Sequence, residues 1–249
     1  MRTLLRLAFD GAPFCGWQSQ PRQRTAQGDI DLALSTLLRQ TIETVGAGRT
    51  DTGVHAKEMY VHFDWQPELA IDIDNLGHLK YRLNRFLDPA IHVKEIREVA
   101  GDWHARFDAI SRSYDYLMSD KGSPFYRNHA WMVSEMPNVK LMNKAAAVLL
   151  TMTDFASFCK NGSNNKTTLC NVTKAEWVEK DELWVFEITA DRFLRNMVRA
   201  VVGSLYEVGK GNWSVEDFTD RCEEKNRGAM GTSAPAHGLY LMNVTYNNL

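Results

Sequence analysis

A stretch near residue 50 combines glycines with side chains that can take part in acid–base chemistry. It reads Gly-Ala-Gly-Arg-Thr-Asp-Thr-Gly-Val-His-Ala over residues 46–56. Its glycines permit positive φ angles and close approach of other backbone. Arg49, Asp51 and His55 lie between two segments that the pattern predicts as strands, so a scaffold would hold their side chains in place. We therefore interpret the stretch as a candidate functional loop; the alternative is a mobile hairpin loop with solvated charges.

The glycine spacing of this loop differs from that of known phosphate-binding loops. It is G-x-G-x-x-x-x-G with no predicted helix after it, whereas a dinucleotide-binding fingerprint needs a helix there, and no Gly-Lys-Ser/Thr follows. The chain also has no G-x-S-x-G nucleophile elbow and no H-E-x-x-H zinc motif. Its seven histidines are scattered and its four cysteines include no C-x-x-C pair. The sequence therefore predicts no metal site.

Two further groups of side chains could bind RNA. Arg192, Arg195 and Arg199 are spaced i, i+3 and i+7, which would place them on one helical face. Such arginines can hold phosphates, although a solvated helix face is the ordinary explanation. Tyr114 and Tyr116 are spaced i and i+2, so they would share one face of a strand. A tyrosine exposed at a cleft can stack on a nucleobase, but strand tyrosines are also common in cores.

Hydrophobic periodicity predicts the same order of elements in each half of the chain. In the first half we predict strands at 5–9, 41–45, 59–63 and 91–96 and helices at 30–38 and 76–86. In the second half we predict strands at 114–118, 172–178, 183–189 and 239–246 and helices at 141–150, 193–205 and 214–224. Each half therefore reads β-α-β-β-α-β, the ferredoxin-like pattern. We predict an α+β fold with two ferredoxin-like halves, 1–105 and 106–249, each an antiparallel sheet with helices on one side, and a central cleft as the ligand site.

The composition is that of an ordinary globular protein. The chain has 249 residues, of which 44% are hydrophobic and 24% charged, and its net charge is −2. Because the chain as a whole is not basic, nucleic-acid binding would need a local basic patch. No apolar run is long enough to span a membrane. With its few cysteines, the sequence predicts a cytoplasmic protein.

At this point the loop motif is recognisable, because residues 48–56 closely resemble the catalytic-loop motif of TruA-type tRNA pseudouridine synthases. The resemblance continues, in the order of the family, along nearly the whole chain. The other matching segments are Phe-Cys-Gly-Trp-Gln at 14–18, His-Ala-Arg-Phe at 104–107, Arg-Ser-Tyr-Asp-Tyr at 112–116, Asp-Phe-Ala-Ser-Phe at 154–158, 193–199, and Gly-Leu-Tyr-Leu at 238–241. Any one tetrapeptide would be a weak signal, but six or more in order are specific.

The resemblance implies a role for five residues. Asp51 corresponds to the family's essential aspartate, Tyr114 to the tyrosine that packs on the target base, and Arg199 to the arginine that pairs with the aspartate. Arg49 matches the loop arginine that helps to displace the target nucleotide, and Leu239 an apolar residue lining the base pocket. The resemblance also implies a homodimer that works without metal or cofactor. Its expected substrates are uridines at positions 38 to 40 in the anticodon arm of tRNA.

Some positions depart from the family's usual pattern. Thr52 stands where alanine is usual, and Arg195 where histidine is common. Ser113 replaces a frequent arginine, and Cys170 lies where an arginine is often found. None of these belongs to the proposed catalytic set, so we expect the departures to affect contacts with RNA and not the reaction.

Two other functions compete with this interpretation. Ferredoxin-like sheets with exposed aromatic side chains also occur in RNA-binding modules without catalysis. A carboxylate facing RNA phosphates is unfavourable unless it reacts, so Asp51 argues against that alternative. The second alternative is a nucleoside or glycoside hydrolase that uses the same carboxylate, and it would release free uracil.

Overall fold

The computed structural model describes residues 1–70, 72–160, 162 and 166–247. These residues form five α-helices and a nine-stranded, mostly antiparallel sheet, which confirms the predicted α+β class. The chain divides into two compact units, one made of Met1–Ile110 with Leu241–Leu249 and the other of Ser111–Tyr240. Over the described ranges, no helix is long and apolar enough to cross a membrane.

The first unit follows the element order predicted for the first half. Its elements are β1 (Arg2–Phe9), α1 (Ala26–Leu38), β2 (Val45–Gly46), β3 (His55–Asp64), α2 (Leu76–Phe86) and β4 (Ile91–Glu98). The edge strand β4 pairs antiparallel with β1, β1 pairs antiparallel with β3, and the short β2 pairs with β3. The candidate loop therefore leaves the sheet at β2 and returns to it at β3.

Helix α1 supplies much of the core of the first unit. Its N-cap is Thr25, whose hydroxyl accepts a hydrogen bond from the N–H of Gly28 at 3.2 Å, the usual way in which a helix start is satisfied. Its buried apolar residues recur at helical spacing and are Ile30, Ala33, Leu34, Leu37 and Leu38. The helix ends at Arg39, which adopts a positive φ of 54°. The predicted helix is thus confirmed and begins four residues earlier than the apolar pattern indicates.

The second unit contains the remaining elements. They are β5 (Ala109–Ser119), β6 (Trp131–Met132), α3 (Val139–Val148), β7 (Val172–Lys180), β8 (Leu183–Ala190), α4 (Met197–Gly209), α5 (Val215–Glu223) and β9 (Leu239–Tyr246). Strand β8 lies between β5 and β7 and is antiparallel to both. Helix α3 packs on β7 and on α4. Strand β9 begins in this unit and ends in residues that group with the first unit.

The strand predicted at 41–45 is reduced to its last residue, which joins the two-residue β2. Side chains of α1 take up the backbone groups just before it. Asp31 Oδ1 accepts a hydrogen bond from the N–H of Thr44 at 3.0 Å, and Gln27 Nε2 donates to the carbonyl of Thr44 at 2.6 Å. Backbone groups that side chains satisfy in this way do not join a strand ladder.

The prediction that Arg192, Arg195 and Arg199 share one helical face is wrong. Helix α4 begins only at residue 197, so Arg199 is the helical member of the three. Asn196 precedes the helix with a left-handed φ of 65°. A residue in that conformation interrupts a right-handed helix, which separates Arg192 and Arg195 from the α4 face.

Candidate catalytic loop and substrate-binding residues

The candidate loop spans residues 47–54, between β2 and β3. Its last four residues form a hydrogen-bonded turn, in which the N–H of Val54 donates to the carbonyl of Asp51 at 3.1 Å. Gly53, the third residue of the turn, has a φ of +78°. That position takes a positive φ in type II turns and so favours glycine. Asp51 is half-buried and is the first residue of this turn, so the turn fixes its backbone.

The segment 11–17 packs directly against the loop through two glycines. A Cβ on Gly11 would lie 2.1 Å from the carbonyl oxygen of Val54. Gly16 has a φ of +87°, and a Cβ there would lie 2.6 Å from the carbonyl oxygen of Thr50. Only glycine permits such close approach of two backbones. The loop that carries Asp51 is therefore shaped by a segment more than thirty residues away in the sequence.

Trp17 supports the loop from the same segment. The backbone N–H of Trp17 donates a hydrogen bond to the carbonyl of Thr50 at 3.2 Å. Its buried indole lies against Gly46, where a Cβ would come within 2.7 Å of the indole Nε1. The indole also packs on Phe9, with ring centroids 5.8 Å apart. Trp17 thus contacts both the start of the loop and the residue just before Asp51.

His55, which the sequence grouped with Arg49 and Asp51, has a structural position. It is buried at the start of β3, and its Nδ1 accepts a hydrogen bond from the N–H of Gly11 at 3.0 Å. This bond ties the end of the loop to the segment 11–17. We assign His55 to the support of the loop.

A cavity of about 200 Å³ lies beside the loop. Arg49 is exposed and lines this cavity together with Arg106, so the lining includes two cationic residues. Other lining residues are Trp17, Gln18, Gly46 and Gly48. Paired arginines are well suited to phosphate oxygens, because their planar donors match the geometry of the anion.

Tyr114 lies in the second unit, on β5 opposite Ile188 of β8. It is half-buried, and its ring meets that of Phe193 edge to face, with centroids 5.0 Å apart at 81°. Tyr116, two residues further on, is fully buried, and its hydroxyl donates to the carbonyl of Pro235 at 2.9 Å. Of the two tyrosines that the sequence proposed for stacking, Tyr116 is therefore a core residue.

Arg199 and Leu239 also belong to the second unit. Arg199 is half-buried, and its Nε donates to the carbonyl of Ala234 at 2.7 Å, while the N–H of Ala234 donates to the carbonyl of Arg199 at 2.9 Å. Burial raises the pKa of Tyr116, and the positive charge of Arg199 opposes that rise. Leu239 is buried as the first residue of β9. The segment that follows residue 233 thus holds Arg199 at one end and leads into Leu239 at the other.

Ser113 and Cys170, two of the departures from the family pattern, make contacts within the second unit. The hydroxyls of Ser113 and Thr189 lie 2.9 Å apart across β5 and β8. Cys170 is buried, and burial raises the pKa of its thiol to about 12. Neither side chain substitutes for the phosphate contact of an arginine.

The structure thus places the predicted site residues in two groups. Arg49 and Asp51 share one loop of the first unit, and Tyr114, Arg199 and Leu239 belong to the second unit. Sequence reasoning missed the part that Arg106 plays beside the loop. The available signal is the Arg-Phe pair in the segment 104–107, which the family resemblance includes without a role for Arg106.

Comparisons with known proteins agree with the resemblance. A sequence model of the family described as tRNA pseudouridine synthase matches residues 145–247. A protein of Bacteroides fragilis named tRNA pseudouridine synthase A is 45% identical over 98% of this chain and 96% of its own. Proteins of the same name from Bacteroides thetaiotaomicron and Parabacteroides distasonis are each 44% identical over 98% of this chain, and the alignments cover 90% and 96% of their lengths. The chain belongs to the tRNA pseudouridine synthase family.

Proposed function

We propose that this protein isomerises uridine to pseudouridine at positions 38 to 40 in the anticodon stem-loop of tRNA, with Asp51 as the reacting carboxylate. The isomerisation of uridine in tRNA follows from its family. One observation supports Asp51 in particular. Its loop is held in one shape by glycines and by Trp17, and reacting groups need such a preorganised position.

The reaction makes limited demands on the protein. The N1–C1′ bond of the uridine breaks, the uracil turns, a C5–C1′ bond forms, the proton on C5 is lost to water, and N1 takes up a proton. A single carboxylate beside C1′ is sufficient, and three routes use one. Asp51 could stabilise positive charge that develops at the sugar, add covalently to C1′, or remove the C2′ proton to give a glycal.

The other four residues would bind the nucleotide. We assign Tyr114 to stacking on the target base, Leu239 to the apolar wall of the base pocket, and Arg49 to displacement of the target nucleotide from its stack. Arg199 would pair with Asp51. Extruding a base costs about a few kcal/mol, and aromatic stacking returns about 1–3 kcal/mol of that.

The same proposal covers the fold of the two halves, the oligomeric state, the cellular location and the need for a cofactor. We propose that the two halves, 1–105 and 106–249, are ferredoxin-like and present these five residues to one RNA-binding cleft. As in the family, we propose a cytoplasmic homodimer that needs no metal or cofactor. Because phosphate contacts release counterions, we expect the affinity for tRNA to fall as salt is added.

The test is release of tritium from C5 of uridine in an unmodified tRNA transcript, with no metal or cofactor added. The variants are Asp51→Asn and, as a matched control in the same loop, Thr52→Ala, because Thr52 is exposed. We expect release by the parent and by Thr52→Ala and no release by Asp51→Asn. Free uracil among the products would indicate a hydrolase, and binding of tRNA by a folded parent without release would indicate a binding module.

A further inference from the structure

Phe107 is a large apolar side chain that the fold leaves in solvent. It is 75% exposed. Its ring nevertheless has a fixed support, because it stacks on the imidazole of His104 with centroids 4.2 Å apart and planes at 30°. The imidazole in turn packs against His62, which is buried. One face of the phenyl ring is thus supported from beneath, and the side chain remains accessible.

The segment 104–108 holds this ring in place through its own backbone. His104 Nδ1 accepts hydrogen bonds from the N–H groups of Arg106 at 3.1 Å and Phe107 at 3.2 Å. The N–H of His104 donates to Asp108 Oδ2 at 2.7 Å. Burial lowers the pKa of His104, which agrees with a ring nitrogen that accepts hydrogen bonds. A ring that is already ordered loses little entropy when a ligand binds to it.

Arg106 connects this ring to the cavity beside the catalytic loop. Its guanidinium carbon lies 5.9 Å from the centroid of the Phe107 ring. The same residue lines the cavity together with Arg49. Among the described residues, the cavity lining contains these two arginines and no carboxylate. The charge of the lining residues therefore favours an anion, and the exposed ring of Phe107 lies near one of these two arginines, Arg106.

The size of the cavity limits what it can hold. At about 200 Å³ it is smaller than pockets that enclose a whole small-molecule ligand, which measure roughly 300–1,000 Å³. It can take a phosphate group, while the rest of a nucleotide stays outside. Aromatic side chains next to arginines are typical of surfaces that bind unpaired nucleotides, because bases stack on the ring and phosphates bind the guanidinium.

We propose that Arg106 and Phe107, beside the cavity that Arg49 also lines, form an accessory subsite for one unpaired nucleotide of the tRNA, distinct from the uridine that reacts. Its base stacks on Phe107 and its phosphate binds Arg106, which leaves Arg49 for the target nucleotide. This inference rests on the proposed function, since it takes tRNA as the ligand. The subsite would hold the RNA strand next to the loop that carries Asp51, so it acts in substrate binding.

A second Arg-Phe pair in the first unit provides a matched control. Arg85 and Phe86 end α2, both are exposed, and Phe86 is 48% exposed. The experiment compares Phe107→Ala, Phe107→Trp and Arg106→Ala with Phe86→Ala and Arg85→Ala. For each variant we would measure the Kd for unmodified tRNA at several salt concentrations, the tritium release rate, the melting temperature and the oligomeric state.

We expect Phe107→Ala to weaken tRNA binding by about 5- to 160-fold, the range for loss of one stacked base, with a larger effect on Kd than on kcat. Phe107→Trp should restore binding. Arg106→Ala should reduce the slope of log Kd against log salt concentration by about 1, the change expected for loss of one phosphate contact. The two α2 control variants should bind tRNA like the parent.

Other outcomes would overturn the proposal. If Phe107→Ala bound tRNA as tightly as Phe86→Ala, no base stacks on Phe107. If Phe107→Ala changed the oligomeric state, the ring contacts a second copy of the chain instead of RNA. A parent that binds tRNA but releases no tritium would contradict the catalytic function, while the comparison of Kd values would still test the subsite.

Discussion

The indole of Trp17 fills the space in which a side chain at position 46 would lie. A Cβ on Gly46 would come within 2.7 Å of both Cε2 and Nε1 of the indole. Gly48, two residues later and inside the loop, has nothing within 4 Å of the corresponding position. The glycine that ends β2 is therefore required by packing against Trp17, whereas Gly48 has open space around it.

We predict that Gly46→Ala destabilises the protein and Gly48→Ala does not. An added methyl group at residue 46 must displace a buried indole, and overpacking of this kind costs about 1–3 kcal/mol. Because Trp17 also donates a hydrogen bond to Thr50, tritium release should fall as well. Urea unfolding of the two variants checks the difference in stability. Equal midpoints would show that Trp17 does not pack as described.

Asp31 should make the stability of the protein depend on pH. Burial raises the pKa of its carboxyl from 3.8 to about 6, although Thr44 donates two hydrogen bonds to it. A raised carboxyl pKa means that the folded state binds the proton more tightly than the unfolded state. The resulting stabilisation is present below about pH 4 and is lost as the pH rises through 6.

We therefore predict that Asp31→Asn gains stability relative to the parent as the pH rises from 4.5 to 7.5. The asparagine oxygen can accept the same hydrogen bonds and carries no charge to desolvate. After allowance for the partial exposure of Asp31, the gain should be about 1–2 kcal/mol. Urea unfolding at the two pH values measures it, with the exposed Asp120→Asn as control. Parallel pH curves for parent and Asp31→Asn would contradict the prediction.

Removal of the hydroxyl should destabilise the protein at Thr44 and have little effect at Thr50. The hydroxyl of Thr44 donates to Asp31 Oδ1 at 2.6 Å, whereas that of Thr50 is buried with no hydrogen-bond partner among the described residues. Thr44→Val should cost about 1.5–3 kcal/mol, the range for a bond to a charged group. Thr50→Val should leave the free energy of unfolding within about 0.5 kcal/mol of the parent. A large loss from Thr50→Val would mean that its hydroxyl has a partner in solution.

Tyr114 should contribute to RNA binding through its ring. Its ring already meets Phe193 edge to face at 5.0 Å, so it is oriented before any base arrives. We expect Tyr114→Phe to keep most of the affinity for tRNA and Tyr114→Ala to lose about 1–3 kcal/mol of binding free energy. Filter binding of tRNA to the two variants is the measurement. If Tyr114→Phe abolished binding, its role would depend on the hydroxyl.

The regular elements could be predicted because their signals are local. Helix α1 shows an apolar stripe at helical spacing, and β9 coincides with the predicted strand at 239–246. The strand at 41–45 could not be predicted correctly, because the competing hydrogen bonds come from Gln27 and Asp31 on another element. Periodicity within a segment does not show which side chains will reach it from elsewhere.

The candidate site was predictable to a similar extent. The three glycines and the polar side chains of residues 46–56 identify the loop, and residues 47–54 lie between strands as expected. The need for glycine at Gly11 and Gly16 was not predictable, since it arises from approach to carbonyls more than thirty residues away. The prediction of one helical arginine face is wrong because Asn196, just before α4, adopts a left-handed conformation. Hydrophobic periodicity does not reveal such a conformation.

The support of the loop by distant segments has a consequence for chimeric proteins within the family. Residues 47–54 pack on Gly11, Gly16 and Trp17. Just before the loop, hydrogen bonds from side chains of α1 hold the backbone of Thr44. These three stretches therefore form one block whose members fit one another. A crossover between this chain and a relative should impair activity more when its breakpoint falls inside residues 11–56 than when it falls in the exposed segment just after β4.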